Sequence, residues 1–247
     1  MKYSLALRDG DLNFFTYFVG LTKFSALTSK MEDALAKKYR DRLRILFIIY
    51  FFSEPYVDPE NSRYVGILRS EVRIQKLDFL IRYPSYLCYE LILKVKDNPS
   101  LDRDQIKKII KHIIESDEPQ LRTVEMKKFL YGAWEHLDKK IAFLKAHGLI
   151  NFTSQIGRDL REHKKEYYLT EFGKQKVESG LAEMPSAAWY SERCGLIKKF
   201  FGDLKGTELK ALQYRHEEYK EALINQYILD IEQQTKKLFS EEFQESL

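Results

Sequence analysis

Cysteine, glycine and histidine are all scarce in this chain of 247 residues, with two, eleven and five copies. Cys88 and Cys194 stand far apart, without CxxC spacing or companion ligands, which argues against a zinc ribbon and predicts buried thiols in a reducing compartment. The glycines never gather into GxGxxG, GxxxxGK[ST] or GxSxG, so the chain has neither a phosphate cradle nor a nucleophile elbow. His112, His136, His147, His163 and His216 form no HxxxH or HExxH pair, and no metal site is expected. Carboxylates do cluster, as in Glu217, Glu218 and Glu221, but on a polar helical face that reads as solvated charge. The expectation is a protein that is not an enzyme, with no catalytic residues and no cofactor.

Long apolar runs are missing too. The most apolar stretch, Ile45 to Phe52, is far shorter than the roughly 20 residues a bilayer requires. The N-terminal MKYSLALRDGDLN lacks the apolar core of a signal peptide. The expected setting is cytoplasmic, with no membrane contact. The net charge of +4 is mild, and nine Lys/Arg against twelve Asp/Glu follow residue 180. That balance does not describe a nucleic-acid-coating protein. Aromatics, by contrast, are plentiful, with sixteen Phe and sixteen Tyr available for packing or for partners.

The most informative stretch runs from Trp134 to Gly180. Leu137, Ile141 and Leu144 share one face of a helix predicted over Trp134 to His147, and Gly148 follows where a helix ends in a left-handed turn. Ile150 and Phe152 alternate with polar neighbours as one strand, and Tyr167 to Leu169 form a second after a charged span. Thr170 caps a further helix that stops at Gly180. Helix, hairpin and helix in this order is the layout of a winged helix.

Around it, Met31 to Phe52 reads best as one helix, apolar nearly all round in its second half, with a buried strand over 45–52 as the rival reading, and Glu54 to Ser62 as a loop. Residues 72–93 read as two helices bent at Tyr83-Pro84. Asp102 and Gln105 open another helix through Ile114. A helix over 121–147, carrying Met126, Phe129 and Leu130, then feeds the wing. After a linker at Met184-Pro185-Ser186 come a helix from Trp189 to Phe201 and a last long helix, capped by Thr207 and reaching about Phe239. Its stripe is Leu209, Leu212, Tyr219, Leu223, Tyr227 and Ile231. The predicted fold class is mainly α with a small β-hairpin. It comprises an N-terminal helical segment (1–68), a winged helix-turn-helix domain (69–182) and a C-terminal helical extension (183–247).

A winged helix grips DNA or docks on protein. Candidate DNA contacts are Arg158, Arg161, Lys164 and Lys165 at the wing, and Lys139, Lys140 and Lys145 on the preceding helix. Glu135, Asp138, Asp159, Glu162 and Glu166 are interleaved with them and dilute the gain from neutralising phosphates. The helix also lacks Arg, Asn or Gln suited to base readout.

The strings RSEVRIQKLDFLIRYPSYLCYELI (Arg69 to Ile92), EMKKFLYGAWEHLDKKIAFLKAHGLI (Glu125 to Ile150), EYYLTEFGKQKV and ERCGLIKKFFGDLKGTELK (Glu192 to Lys210) resemble the middle component of ABC three-component bacterial conflict systems. Among these, Lamassu-type anti-phage and anti-plasmid systems are the nearest in pattern. The resemblance spans about residues 40–215 and rests on apolar and aromatic positions rather than on a catalytic signature. It implies a non-catalytic accessory subunit that couples an SMC-like ABC ATPase sensor to a nuclease-like effector and restrains that effector until triggered. DNA would then be met mainly through the complex. The alternative from the residues alone is a free-standing winged-helix DNA binder or transcriptional regulator.

Overall fold

The computed structural model describes residues 29–58, 63–116, 125–129, 132–156, 162–180 and 185–247. It is mainly helical with a small antiparallel sheet. By packing, the chain divides into residues 1–43 and 44–247. Helix α1 (Ser29–Phe52) is the one described element that enters the first unit, where Arg42 lies over the ring of Tyr39. In the second unit its final turns bury Ile45 to Ile49 and Phe52, as an all-apolar helical run requires.

Strands β1 (Glu54–Pro55) and β2 (Tyr64–Leu68) follow, then helix α2 (Glu71–Arg82), capped by the Ser70 hydroxyl. Helix α3 (Pro84–Asp97) begins at the proline, so the chain turns where its geometry forbids continuation. Helix α4 (Arg103–Glu115) opens as expected, with the Asp102 carboxylate accepting the Gln105 amide at 2.9 Å. Next come β3 (Lys127–Phe129) and β4 (Gly132–Trp134), then helix α5 (Asp138–Ala146), β5 (Ile150–Ile156) and β6 (Glu162–Thr170). Helix α6 (Glu171–Gln175) runs on into a π-helical turn to Gly180, under a Thr170 cap. Helices α7 (Pro185–Phe201), α8 (Gly206–Gln213), α9 (Glu217–Glu221) and α10 (Glu232–Phe243) complete the chain. The main sheet has the order β1-β2-β6-β5, antiparallel throughout.

Helix α2 is the hub. Residues Ile74 to Arg82 are buried along its length, and it packs on α3, α7, α8 and β4. Among the described residues no helix is long and apolar enough to cross a membrane. Cys88 and Cys194 are buried thiols, and burial pushes that of Cys194 well up.

Several expectations are corrected. The helix over 121–147 is instead the strands β3 and β4 followed by a helix that starts only at Asp138; residues 121–124 and 130–131, Leu130 among them, lie outside the described ones. Gly132 adopts φ +97°, a left-handed conformation that a continuing helix does not accommodate. Tyr64 to Leu68 is a strand held by β6, which itself begins at Glu162, before Tyr167. The long C-terminal helix is three short ones, and it opens after Lys205 rather than at Thr207. Its stripe divides accordingly: Leu209, Tyr219 and Ile231 are buried, whereas Leu223 and Tyr227 face outward on the connecting loop.

Candidate functional site

Helix α5 and the β5–β6 hairpin are built as the apolar pattern demands. Leu137, Ile141 and Leu144 point inward, and Gly148 takes φ +69° to release the chain into β5. The cations fare unequally. Lys139 is exposed, and Lys145 is exposed with its ammonium 4.7 Å from the centre of the Phe152 ring. Lys140 turns inward, and its ammonium lies 2.6 Å from Glu135 Oε1, so it is corrected from surface contact to internal ion pair. Lys165 is bound 2.8 Å from Glu71 Oε2, a carboxylate that also accepts the Tyr167 hydroxyl. Lys164 pairs through its backbone position with Gln155, but its side chain, like Arg158 and Arg161, lies outside the described residues.

Behind α5 sits a cluster that pattern reading missed. Asp78 is fully buried, and its two oxygens meet the guanidiniums of Arg44 and Arg82, the latter at 3.2 Å. Arg82 also reaches Glu135 Oε2 at 2.6 Å and donates to the Glu125 carbonyl at 2.9 Å. Gln75 exchanges two hydrogen bonds with the Glu135 backbone. Burial alone would raise the Asp78 carboxyl; the charges of Arg44 and Arg82 outweigh it and hold the group below the usual carboxylate range. The cluster joins α1, α2, the turn before α5, and α5 itself. No sequence signal marked it: Glu71, Gln75, Asp78 and Arg82 share one helical face, which reads as the solvated side of an amphipathic helix.

A second polar knot lies beside β4. The Lys76 ammonium donates to the Ala133 carbonyl at 2.8 Å, and burial, helped by Lys210, pushes this lysine down to about 7. Tyr219 Oη accepts the Ala133 amide and donates to Gln213 Oε1 at 2.9 Å. Farther off, His216 Nε2 lies 3.1 Å from Glu90 Oε1, between the rings of Tyr86 and Tyr89.

Comparison of the chain with models of protein families, with curated proteins and with solved structures gives no match. Among the described residues no group of three or more His, Cys, Asp or Glu could hold a metal ion. These polar groups lock elements together: the Asp78 cluster couples the position of α5 to α1 and α2, and the Lys76 knot couples β4 to α2 and to the segment carrying Tyr219.

Proposed function

We propose that this chain is a winged-helix adaptor subunit, of the kind that links an SMC-like ABC ATPase to a nuclease-like effector in bacterial anti-phage and anti-plasmid defence. The winged-helix reading is supported by strand order. In the run α1, β2, α2, α5, β5, β6, the first strand pairs with the last and the last with the middle one, which is winged-helix wiring; α3, α4 and the hairpin β3–β4 form an insertion before α5.

The observation that carries the adaptor reading is the internal use of its cations. Lys140 and Lys165, two of the seven candidate DNA contacts, are neutralised by Glu135 and Glu71. A DNA-gripping face gains affinity from uncompensated charge, because each neutralised phosphate releases counterions. Such a face has more use as a protein contact in the cytoplasm, and the family-like segments supply the partner class.

The test is co-expression with the ATPase subunit of such a system, followed by affinity capture and sizing with and without ATP and DNA. Co-elution in at least one state is expected; separate elution in every state overturns the adaptor reading.

A second reading, a free-standing DNA-binding regulator, is favoured by the exposure of Lys139 and Lys145 on α5. Under it, reversing the charges of Arg158, Arg161, Lys164 and Lys165 removes duplex affinity and flattens its salt dependence. Unchanged duplex binding rejects the wing as the contact.

A further inference from the structure

The insertion carries a surface that the adaptor reading leaves unused. Strand β3 is flanked on both sides. On one it pairs with β4, placing Lys127 opposite Trp134. On the other, residues 225–228 run antiparallel to it, with Tyr227 opposite Lys127. Three backbone hydrogen bonds hold that segment: Asn225 to Lys128 at 2.8 Å, Lys128 to Gln226 at 2.9 Å and Ile228 to Met126 at 3.0 Å.

Directly opposed residues on neighbouring strands share a face. Trp134, Lys127 and Tyr227 therefore form one row across the layer. Phe129, two residues along β3, joins the same face, and its ring stacks on Trp134 with centroids 5.3 Å apart. The opposite face carries Met126 and Ala133, both buried. The face turned from the core is thus aromatic–cation–aromatic instead of simply polar. It lines an open groove of about 460 Å³. Tyr227 is 53 % exposed, and the Lys127 ammonium rests 5.1 Å from its ring centre.

Charge favours an anion. Arg82 and Lys127 line the groove against Glu125 and Glu135, and the buried cluster behind adds Arg44 and Lys140 against Asp78, which leaves one cation in excess; Lys128 turns its ammonium to the other face, onto the Lys220 carbonyl. Arg82 is spent on Asp78 and Glu135, which leaves Lys127 as the central cation of the row. Trp134 and Tyr227 stand two strand spacings apart, about 10 Å. One base does not span two such platforms, but two bases of one strand do, with the backbone phosphate between them at Lys127. Base-on-aromatic stacking with a cation on the backbone is how single strands are held without sequence readout.

We propose that this face binds single-stranded nucleic acid, with bases on Trp134 and Tyr227 and the intervening phosphate on Lys127. The proposal concerns a surface separate from α5 and the wing, and it stands or falls independently of the adaptor reading.

The probe is a fluorescein-labelled 15-nucleotide oligo-dT, titrated with the full chain at low salt and followed by anisotropy. Binding is expected, and Tyr227→Ala and Lys127→Glu should each weaken it about ten-fold. Both positions are exposed, and an unchanged circular dichroism melt checks that the variants fold. Lys96→Glu with Lys237→Glu, both exposed and outside the groove lining, should leave the affinity unchanged. A 15-base-pair duplex and thymidine monophosphate should compete at least ten-fold less well than unlabelled strand. Failure of the strand to bind, indifference to both groove variants, or equal competition by duplex or mononucleotide each overturns the proposal.

Discussion

Asp78 and Lys76 lie two residues apart on α2, both buried, yet their charges meet opposite fates. Two guanidiniums compensate Asp78, whereas the Lys76 ammonium has a carbonyl for a partner and a like charge, Lys210, nearby. Lys76 therefore releases its proton near neutrality. Its folded-state value of about 7 lies below the ordinary lysine value of 10.5, so between them the unfolded chain holds a proton that the folded one has lost. Stability must rise with pH across that interval, and below it the full cost of burying the charge applies. In urea titrations from pH 6 to 10, the midpoint of the native chain should climb through this range. Lys76→Met should remove the climb and match or exceed the native midpoint at pH 7, since an apolar side chain of similar volume carries no desolvation penalty. An identical pH slope in the variant would contradict this account. Neither fate was legible in composition, because charge burial depends on which helix α2 packs against.

Among elements, the β5–β6 hairpin and the helix after it were readable because their signals are local. Gly148, the alternating strand β5 and the Thr170 cap each act within a few residues. Even so, one of their glycines is fixed by a distant contact. A Cβ on Gly173 would fall inside contact distance of the Leu149 carbonyl, a backbone group that cannot swing aside. Thr170 Oγ1 bonds both that carbonyl and the Gly173 amide, at 2.9 Å each, so the approach is tied down. Gly173→Ala should destabilise by about 2–3 kcal/mol by urea denaturation, although alanine is the better helix former by about 1 kcal/mol. A neutral or stabilising result would mean that α6 can shift off β5. The hairpin β3–β4 was illegible for the converse reason: Met126 and Phe129 fit helical spacing, and the run is too short for periodicity to arbitrate. Its strand state is secured from outside, by residues 225–228, Lys76 and Tyr219.

At the scale of the whole molecule, the C-terminus closes the fold by packing α10 on α3. Thr235 donates to the Ser85 carbonyl at 3.0 Å, and Phe239 is buried with its ring 4.7 Å from that of Phe243. Around this apolar seam, Glu245 bridges Lys107 at 2.9 Å and Lys111 at 2.7 Å. Those hydrogen bonds hold its carboxyl down at about 2. The seam should dominate the rim. Phe239→Ala should cost about 3–5 kcal/mol, whereas Glu245→Gln should leave the urea midpoint unchanged, because exposed pairs are screened by water and salt. Comparable losses in the two variants would show that the ion pairs, and not burial, hold α10 in place.

By itself the sequence determined what depends on neighbours along the chain. A run of helix formers leading into an all-apolar stretch set α1, Pro84 set the α2–α3 break, Asp102 and Thr170 set helix starts, and alternation set the strand β5. Tertiary structure alone decided what depends on groups far apart in sequence. It joined residues 64–68 to β6, opened the expected last helix so that Tyr227 could lie opposite Lys127, buried Lys140 against Glu135 and paired the half-buried Lys165 with Glu71. The physical reason is range: caps, turns and periodicity are settled within a few residues, whereas strand pairing and charge compensation are settled by whatever the fold brings alongside.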